Sequence, residues 1–476
     1  MDFPTQLVIN GERRAASDGK TLALINPATE KILCEAASAS TLDVENAVEG
    51  AQRAYEKEWR DMKPARRAEI LFRVAQEIRQ RAEELAQLEM LNIGKPISDA
   101  RDEIALGART FEYYAGAVGK FCGQTIPVGR GGFDFTLRQP MGVVAAIVPW
   151  NFPFPIACWK VAPALAAGNA VVLKPASLSP LTALRLGELA LAAGLPPGVL
   201  QVVSGSGAEM GAALVRHPLV RKIGFTGSTA VGSSIMEMAA RSIKRVSLEL
   251  GGKSPNIIFA DADWEQAART SPMSVFANTG QDCCARSRVF VERKIFKKFV
   301  EAFVAATASI VVGQPDRTAT QVGPLVSRTQ REVVEGFLDG ARKLRRQFLC
   351  GGQRLFKKGY YLSPAVVLGC ETTDEIWREE VFGPVVCIRP FTDEEQMLAE
   401  VNATPYGLSG SLWTRDLQRA LRVARRVESG VLSVNSHSSV HLEAPFGGFK
   451  QSGLGRDLGM GAMESYSEVK NVYVAD

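Results

Sequence analysis

The stretch FANTGQDCCARSR, Phe276–Arg288, sets an acid, Asp282, directly before two adjacent thiols, Cys283 and Cys284. The thiolate is the nucleophilic form of cysteine, and a neighbouring carboxylate opposes its formation, so a reactive thiol here needs compensation from elsewhere in the fold. Upstream, VSLELGGKSPNIIF places Glu249 before a double glycine. Glu249 is the obvious base, because none of the three histidines, His217, His437 and His441, stands in a recognisable Cys-His context. His217, followed by Pro218, is expected at the surface. Neither the histidines nor the eight cysteines fall at zinc-ligand spacing, so no metal is expected. On these residues alone Cys283 reads more readily as an inert buried thiol.

Such groups act only where the chain positions them. From Met141 onward, short apolar runs alternate with helical stretches: GVVAAIVPW, a helix over 157–167, AVVLKP, a helix over 180–193, VLQVVSG and KIGFTGS. That alternation predicts an α/β fold with a doubly wound parallel sheet. A second alternating region runs from Pro255 to about Val434. The stretch Leu71–Leu91 has helical period, and TIPVGRGGFDFTLRQPMG after Gly123 reads as an inserted hairpin. Parallel sheets bind ligands beyond the carboxyl ends of their strands. The strand ending at Gly227 and Ser228 leads into a helix, TAVGSSIMEMA, whose first amides can receive a phosphate. The glycines at 205–211 and 227–232 do not form GxGxxG, and either cluster alone is more often a turn. Lys174 is by default a solvated lysine, or at a strand end a ribose or phosphate contact.

A chain of 476 residues, 46% hydrophobic and 22% charged, is longer than one core uses, so two or more domains are expected. Basic and acidic residues, 56 against 51, nearly balance; despite the basic RKLRRQ at 342–347, nucleic acid is excluded as a partner. The cysteines are scattered as reduced thiols are, MDFPTQLVINGERR has no leader pattern, and no window approaches the roughly 18 apolar residues of a membrane span. A cytoplasmic protein is expected.

PWNFP at 149–153, KPA at 174–176, GFTGST at 224–229, LELGGKSPNI at 248–257, NTGQDC at 278–283, EEVFGPV at 379–385 and PFGGFKQSGLGR at 445–456 together resemble the NAD(P)-dependent aldehyde dehydrogenase superfamily, in its order and over essentially the whole chain. The resemblance implies a Rossmann-type cofactor domain (1–122 and 142–250), an α/β catalytic domain (251–450) and small β segments for oligomerisation (123–141 and 451–476), in a homodimer or homotetramer. It implies that Cys283 is the nucleophile, Asn151 with the Cys283 N–H the oxyanion hole, and Glu249 the base that activates water. For the cofactor it implies Trp150, Lys174, Ser177, Gly227, Ser228, Glu380 and Phe382, holding NAD with NADP as a second choice. Two positions depart from the family pattern. Ser177 stands where many NAD-preferring members have glutamate, and Arg286 where glycine is common.

For the aldehyde pocket the resemblance nominates Phe152, Ile156, Trp159, Asp282, Cys284, Ser438, Val440 and Phe446. Asp282 is either neutralised by Arg286 or Arg288 or pairs with the substrate, and the GQDC form resembles the loop of aminobutyraldehyde dehydrogenases. The expectation is an ω-aminoaldehyde such as 4-aminobutanal, with Trp159 adding a cation–π contact. The alternatives are a general aliphatic, aromatic or semialdehyde dehydrogenase. A CoA-acylating enzyme is disfavoured by Glu249, and a non-catalytic scaffold by the presence of Cys283, Glu249 and Asn151 together.

Overall fold

The runs VVAAI (Val143–Ile147) and AVVLK (Ala170–Lys174) are buried at every position, as strands are when helices cover both faces of their sheet. In the computed structural model, which describes residues 2–129 and 131–476, they lie inside an eight-stranded sheet. Its order is Gly453–Leu454, Arg245–Glu249, Val220–Thr226, Val143–Ile147, Ala170–Lys174, Leu200–Val202, Leu7–Ile9 and Glu12–Arg14. The five strands from Arg245–Glu249 to Leu200–Val202 run parallel; the outer ones are antiparallel. The chain first winds outward from Val143–Ile147 through Ala170–Lys174 to Leu200–Val202, then returns to place Val220–Thr226 on the other side. Strand order therefore reverses between Val143–Ile147 and Val220–Thr226, and the loops leaving those two strands part to leave a crevice.

A seven-stranded sheet takes the second half of the chain, in the order Gln347–Cys350, Ala365–Leu368, Val385–Phe391, Arg288–Glu292, Pro255–Ile258, Ser411–Trp413 and Ser433–Val434. All its pairings are parallel except the first. The segments holding Cys283 and Glu380 precede strands Arg288–Glu292 and Val385–Phe391. They therefore meet the outgoing loops of the first sheet. The expected hairpin is present as Thr125–Ile126 and Phe133–Pro140, and Ser467–Val474 adds to it in register from Ser467 opposite Pro140 to Val474 opposite Phe133.

Two helices differ from the sequence expectation. The one after Val143–Ile147 begins at Pro153 and not near Ala157, because proline already has the backbone angle a first turn needs; all fourteen of its residues, Pro153–Ala166, are buried. The period over 71–91 belongs to two helices, Pro64–Gln80 and Ala82–Ile93, interrupted where Arg81 leaves helical geometry. The basic stretch at 342–347 has a local use. Arg342 and Lys343 close the last turn of helix Arg328–Lys343, where cations meet unpaired carbonyls, and Arg346 lies 2.7 Å from Asp374. Among the described residues no helix is long and apolar enough to cross a membrane.

Candidate active site

The crevice at the strand-order reversal is a cavity of about 280 Å³. Trp150 and Asn151 enter it from the loop after Val143–Ile147, and Thr226, Gly227 and Ser228 from the next strand. Glu249 comes from the end of Arg245–Glu249; Cys283, Glu380 and Phe382 come from the second sheet. Three expected catalytic residues and five expected cofactor residues thus share one space.

Glu249 is 3% exposed, and its Oε1 has no hydrogen-bond partner among the described residues. Burial pushes its carboxyl up to about 8, offset in part by the Lys160 charge. Lys160 donates to Asp457 at 2.9 Å. The double glycine after Glu249 has a steric cause: a Cβ on Gly251 would meet the Glu380 carboxylate, and one on Gly252 the Cys283 carbonyl. The Gly252 N–H donates to Glu380 Oε1 at 2.9 Å, tying both halves of the cavity together. Burial also pushes Glu380 up to about 7.

The Cys283 loop turns through three left-handed residues, Asn278, Thr279 and Gly280 (φ 50°, 59° and 71°). Such backbone is costly for asparagine and threonine and persists only where the surroundings enforce it. Thr279 Oγ1 donates to Gly323 O at 3.0 Å, and Gln281 Nε2 to Asn278 O at 3.0 Å. Hydrogen bonding to the Cys284 thiol, burial, and the Glu249 and Asp282 charges all raise the Cys283 thiol well above its ordinary range. The opposition foreseen from the sequence is therefore present in the fold. Asn151 Nδ2 donates to Gln281 O at 3.0 Å. Its own carbonyl accepts from Asn278 Nδ2 at 2.9 Å and from Lys95 Nζ at 2.9 Å. Lys95 is itself buried, pairs with Glu103 and sits 4.2 Å above the Phe152 ring.

A second cavity of about 770 Å³ continues from the first, sharing Trp150, Thr226, Gly227 and Ser228. It contains Lys174 and Ser177, with Gly207, Gly211 and Arg216 opposite. Lys174 is not the solvated lysine of the default reading: it is 2% exposed, donates to Gly205 O at 3.1 Å, and burial lowers its ammonium to about 8. Ser228 caps helix Thr229–Ala240, its Oγ accepting from Val231 N at 3.4 Å. The Thr226 hydroxyl is buried without a partner among the described residues. Phe382 is held at φ 52° with its carbonyl accepting from Gln330 Nε2 at 2.8 Å, and its ring meets Trp150 edge to face at 5.2 Å. A long groove with a helix amino terminus at its middle, an unpartnered hydroxyl and an aromatic wall at one end fits a dinucleotide.

Seven of the eight residues nominated for the aldehyde divide into two groups; Ser438 belongs to neither, its carbonyl accepting from Ser433 Oγ. Phe152, Ile156, Trp159, Cys284, Val440 and Phe446 pack with Cys283 in one apolar cluster, Trp159 and Phe446 at 5.6 Å between ring centres. Asp282 instead lines a polar cavity of about 470 Å³ with Arg286 and His437. Its Oδ1 accepts from Cys284 N at 2.8 Å, and a carboxylate oxygen lies within 4.8 Å of both thiol sulfurs. Burial raises its carboxyl. Among the described residues no cationic nitrogen lies within 4.0 Å of it. Arg286 gives its donors to Cys284 O (2.6 Å), Ser411 Oγ (3.1 Å) and His437 O (3.2 Å), so its charge reaches Asp282 without direct pairing. Arg288 is turned away, donating to the carbonyls of Lys253 and Val401. His437 stays neutral, burial and Arg286 lowering it to about 3. His217, expected at the surface, is 6% exposed and lies 3.2 Å from Glu45; the turn at Pro218 folds its ring inward, where Nδ1 accepts from Leu219 N.

The aldehyde dehydrogenase family profile matches residues 14–472. The chain belongs to the aldehyde dehydrogenase family. It is similar to 4-trimethylaminobutyraldehyde dehydrogenase A of Danio rerio, 42% identical over 454 residues covering 94% of this chain and 89% of that protein. An NAD+ complex of an aldehyde dehydrogenase from Bacillus cereus superposes with a TM-score of 0.97 at 41% identity, covering 99% of this chain and 96% of the other. The aldehyde dehydrogenase KauB from Pseudomonas aeruginosa superposes with a TM-score of 0.99 at 38% identity, covering 100% and 97%.

Within this aldehyde dehydrogenase the two departures have different consequences. Arg286 bolts the Cys283 loop to strand Ser411–Trp413, whereas Ser177 is exposed at the rim of the long groove. The sequence reading passed over Lys95, because a lysine in NIGKP has no spacing to mark it. Only the fold brings it under Asn151.

Proposed function

We propose that this aldehyde dehydrogenase oxidises its substrate to the carboxylic acid through Cys283, with NAD as cofactor and NADP as a second choice. The observation that carries this reading is the single cavity shared by Asn151, Glu249, Cys283, Glu380 and Phe382. Glu249, a buried carboxyl titrating near 8, is matched to accept a proton near neutral pH. Glu249 takes the Cys283 thiol proton and passes it to solvent, and the sulfur adds to the aldehyde carbon, giving a tetrahedral adduct whose oxyanion is held by the Asn151 amide and the Cys283 N–H. Bound NAD supplies the hydride acceptor that turns this adduct into a thioester. Glu249 then takes a proton from water, which displaces Cys283 and releases the acid. Lys174, Ser177, Gly227 and Ser228 hold the adenosine and pyrophosphate side; Trp150, Glu380 and Phe382 hold the nicotinamide side. Ser177 offers no carboxylate to repel a 2′-phosphate, and Lys174 stands near. NADP therefore supports a kcat/KM within about a hundredfold of that with NAD, the scale of one charge-assisted contact; no detectable turnover with NADP at saturating aldehyde would exclude this.

The substrate we propose is an ω-aminoaldehyde such as 4-aminobutanal. Support comes from Asp282, a half-buried carboxylate beside the thiol with no cation in direct contact among the described residues, for which a substrate ammonium is the missing counter-charge. The Danio rerio relative, whose name describes a cationic aldehyde, agrees with it. Initial rates with 4-aminobutanal and with butanal decide the matter: preference for butanal would make this a general aliphatic aldehyde dehydrogenase and return Asp282 to the field of Arg286. We also infer a homodimer or homotetramer, assembled through the sheet of Thr125–Ile126, Phe133–Pro140 and Ser467–Val474, and a cytoplasmic setting, which the eight free cysteines suit.

A further inference from the structure

Far from the nucleophile in sequence, two other thiols face each other. Cys370 follows strand Ala365–Leu368, Cys387 lies in strand Val385–Phe391, and Cys370 Sγ donates to Cys387 Sγ at 3.5 Å. Both are buried, 4% and 1% exposed. Cys387 Sγ also lies 3.8 Å from Ile376 O, and the same carbonyl accepts from Lys253 Nζ at 2.9 Å, so a buried ammonium stands beside the pair. The hydrogen bond from Cys370 lowers the Cys387 thiol against the opposing effect of burial, with the Lys253 charge adding to it, while the same bond and burial raise Cys370. Cys387, which shares the Ile376 carbonyl with the Lys253 ammonium, is the sulfur whose thiolate that charge favours, and Cys370 stands 3.5 Å away to resolve it.

What lies between them gives the pair its meaning. The intervening segment contains helix Glu375–Arg378 and then Glu380 and Phe382. We propose that Cys370 and Cys387 form a peroxide-reactive dithiol site whose oxidation to a disulfide displaces Glu380 and Phe382 and weakens cofactor binding. The Cys387 thiolate attacks hydrogen peroxide, taking one oxygen as a sulfenic acid while the other leaves, with a proton, as water. The Cys370 sulfur then attacks the sulfenic sulfur, its proton leaving with the hydroxyl as a second water. The two thiols lose two electrons and the peroxide gains them. The sulfurs must close from 3.5 Å to about 2 Å, pulling on both roots of a segment whose Glu380 and Phe382 contacts are held within ordinary hydrogen-bond and ring-contact distances.

The disulfide chemistry stands by itself; its consequence for cofactor binding rests on the proposed roles of Glu380 and Phe382. The test uses Cys283→Ala enzyme, so that the nucleophile cannot react. After exposure to hydrogen peroxide, peptide mass spectrometry without reduction is expected to show a peptide joining Cys370 to Cys387, two hydrogens lighter than its halves. NAD titration is expected to show affinity at least about fivefold weaker, the lower range of coupling between two sites, recovering with dithiothreitol. Adding Cys370→Ala or Cys387→Ser should abolish both changes, and Cys370→Ala alone should keep wild-type turnover. Absence of the joined peptide, or oxidation only to sulfinic acid, overturns the site. A joined peptide with unchanged NAD affinity overturns the displacement. Glu380→Gln in reduced enzyme separates the two failures: if it too leaves NAD affinity unchanged, the cofactor role of Glu380 is what failed.

Discussion

Cys283 and Asp282 are consecutive residues that serve different spaces. The thiol opens onto the cavity with Asn151 and Glu249, and the carboxylate onto the polar cavity with Arg286 and His437. The first space is walled by strand ends and buried main chain, with Asn151 and Glu380 tied to that main chain and Glu249 Oε1 left without a partner among the described residues. The second lies against the 435–439 segment and holds a carboxylate with no direct cation partner among the described residues. A loop turned through left-handed residues can therefore aim adjacent side chains into separate spaces, as the proposed division of chemistry from recognition requires. It also exposes each to the other's charge: Asp282 raises Cys283.

The largest effect that can break this division belongs to the thiol. Cys283→Ala is expected to lower kcat by at least about 10⁴-fold, as removal of a nucleophile does, while Cys284→Ala keeps most activity; the reverse order in steady-state assays would move the nucleophile to Cys284. Glu249→Gln comes next, with a loss of about 10²–10⁴-fold. Its pH dependence has a definite sign. Because Glu249 is raised from 4.5 to about 8 and must be ionised to act, activity rises with pH through about 8, and this limb vanishes in the Gln variant. Stability runs the other way. A carboxyl raised in the folded state contributes fully below its unfolded value and loses that contribution as pH rises through the folded one, so urea melts of wild type should weaken through this window more than those of Glu249→Gln.

On the recognition side the effect is smaller and selective. Asp282→Asn is expected to lower kcat/KM for 4-aminobutanal by about ten- to a hundredfold, the worth of one charge-assisted hydrogen bond, and to leave butanal nearly unchanged. Equal losses on both substrates would mean that Asp282 acts only on the loop. Of similar size, but in stability and not in rate, is Arg286→Met, expected to cost about 1.5–3 kcal/mol by removing a charged donor from buried acceptors, read as a lower midpoint in thermal melts.

How much of this was legible follows from what kind of interaction places each residue. Val143–Ile147, Ala170–Lys174 and Val220–Thr226 are short apolar runs that burial on both faces requires, so their sheet could be read directly. Asn151, Glu249 and Cys283 were read from the long motifs around them, and their convergence at the strand-order reversal follows from the winding of that sheet. Lys95, Glu103 and Lys160 were not legible, since buried ion pairs join residues with no local pattern. The same holds for the burial of His217 and for the split of Asp282 from the aromatic group, both decided by the turn of a single loop.

One small strand has a consequence for the order in which the molecule is made. Gly453–Leu454 pairs with the strand carrying the base, Gly453 opposite Glu249. Ser452 reinforces it, its carbonyl accepting from Leu250 N at 2.9 Å and its hydroxyl donating to Gly251 O at 2.6 Å. The edge beside Glu249 is thus closed by residues about 201 positions further along the chain. A nascent polypeptide emerging from the ribosome can wind the Val143–Thr226 strands early, but it cannot seat Glu249 until Ser452, Gly453 and Leu454 have followed. Pairing across so long a stretch of sequence is intrinsically slow. Enzyme activity should therefore lag behind formation of the parallel strands themselves.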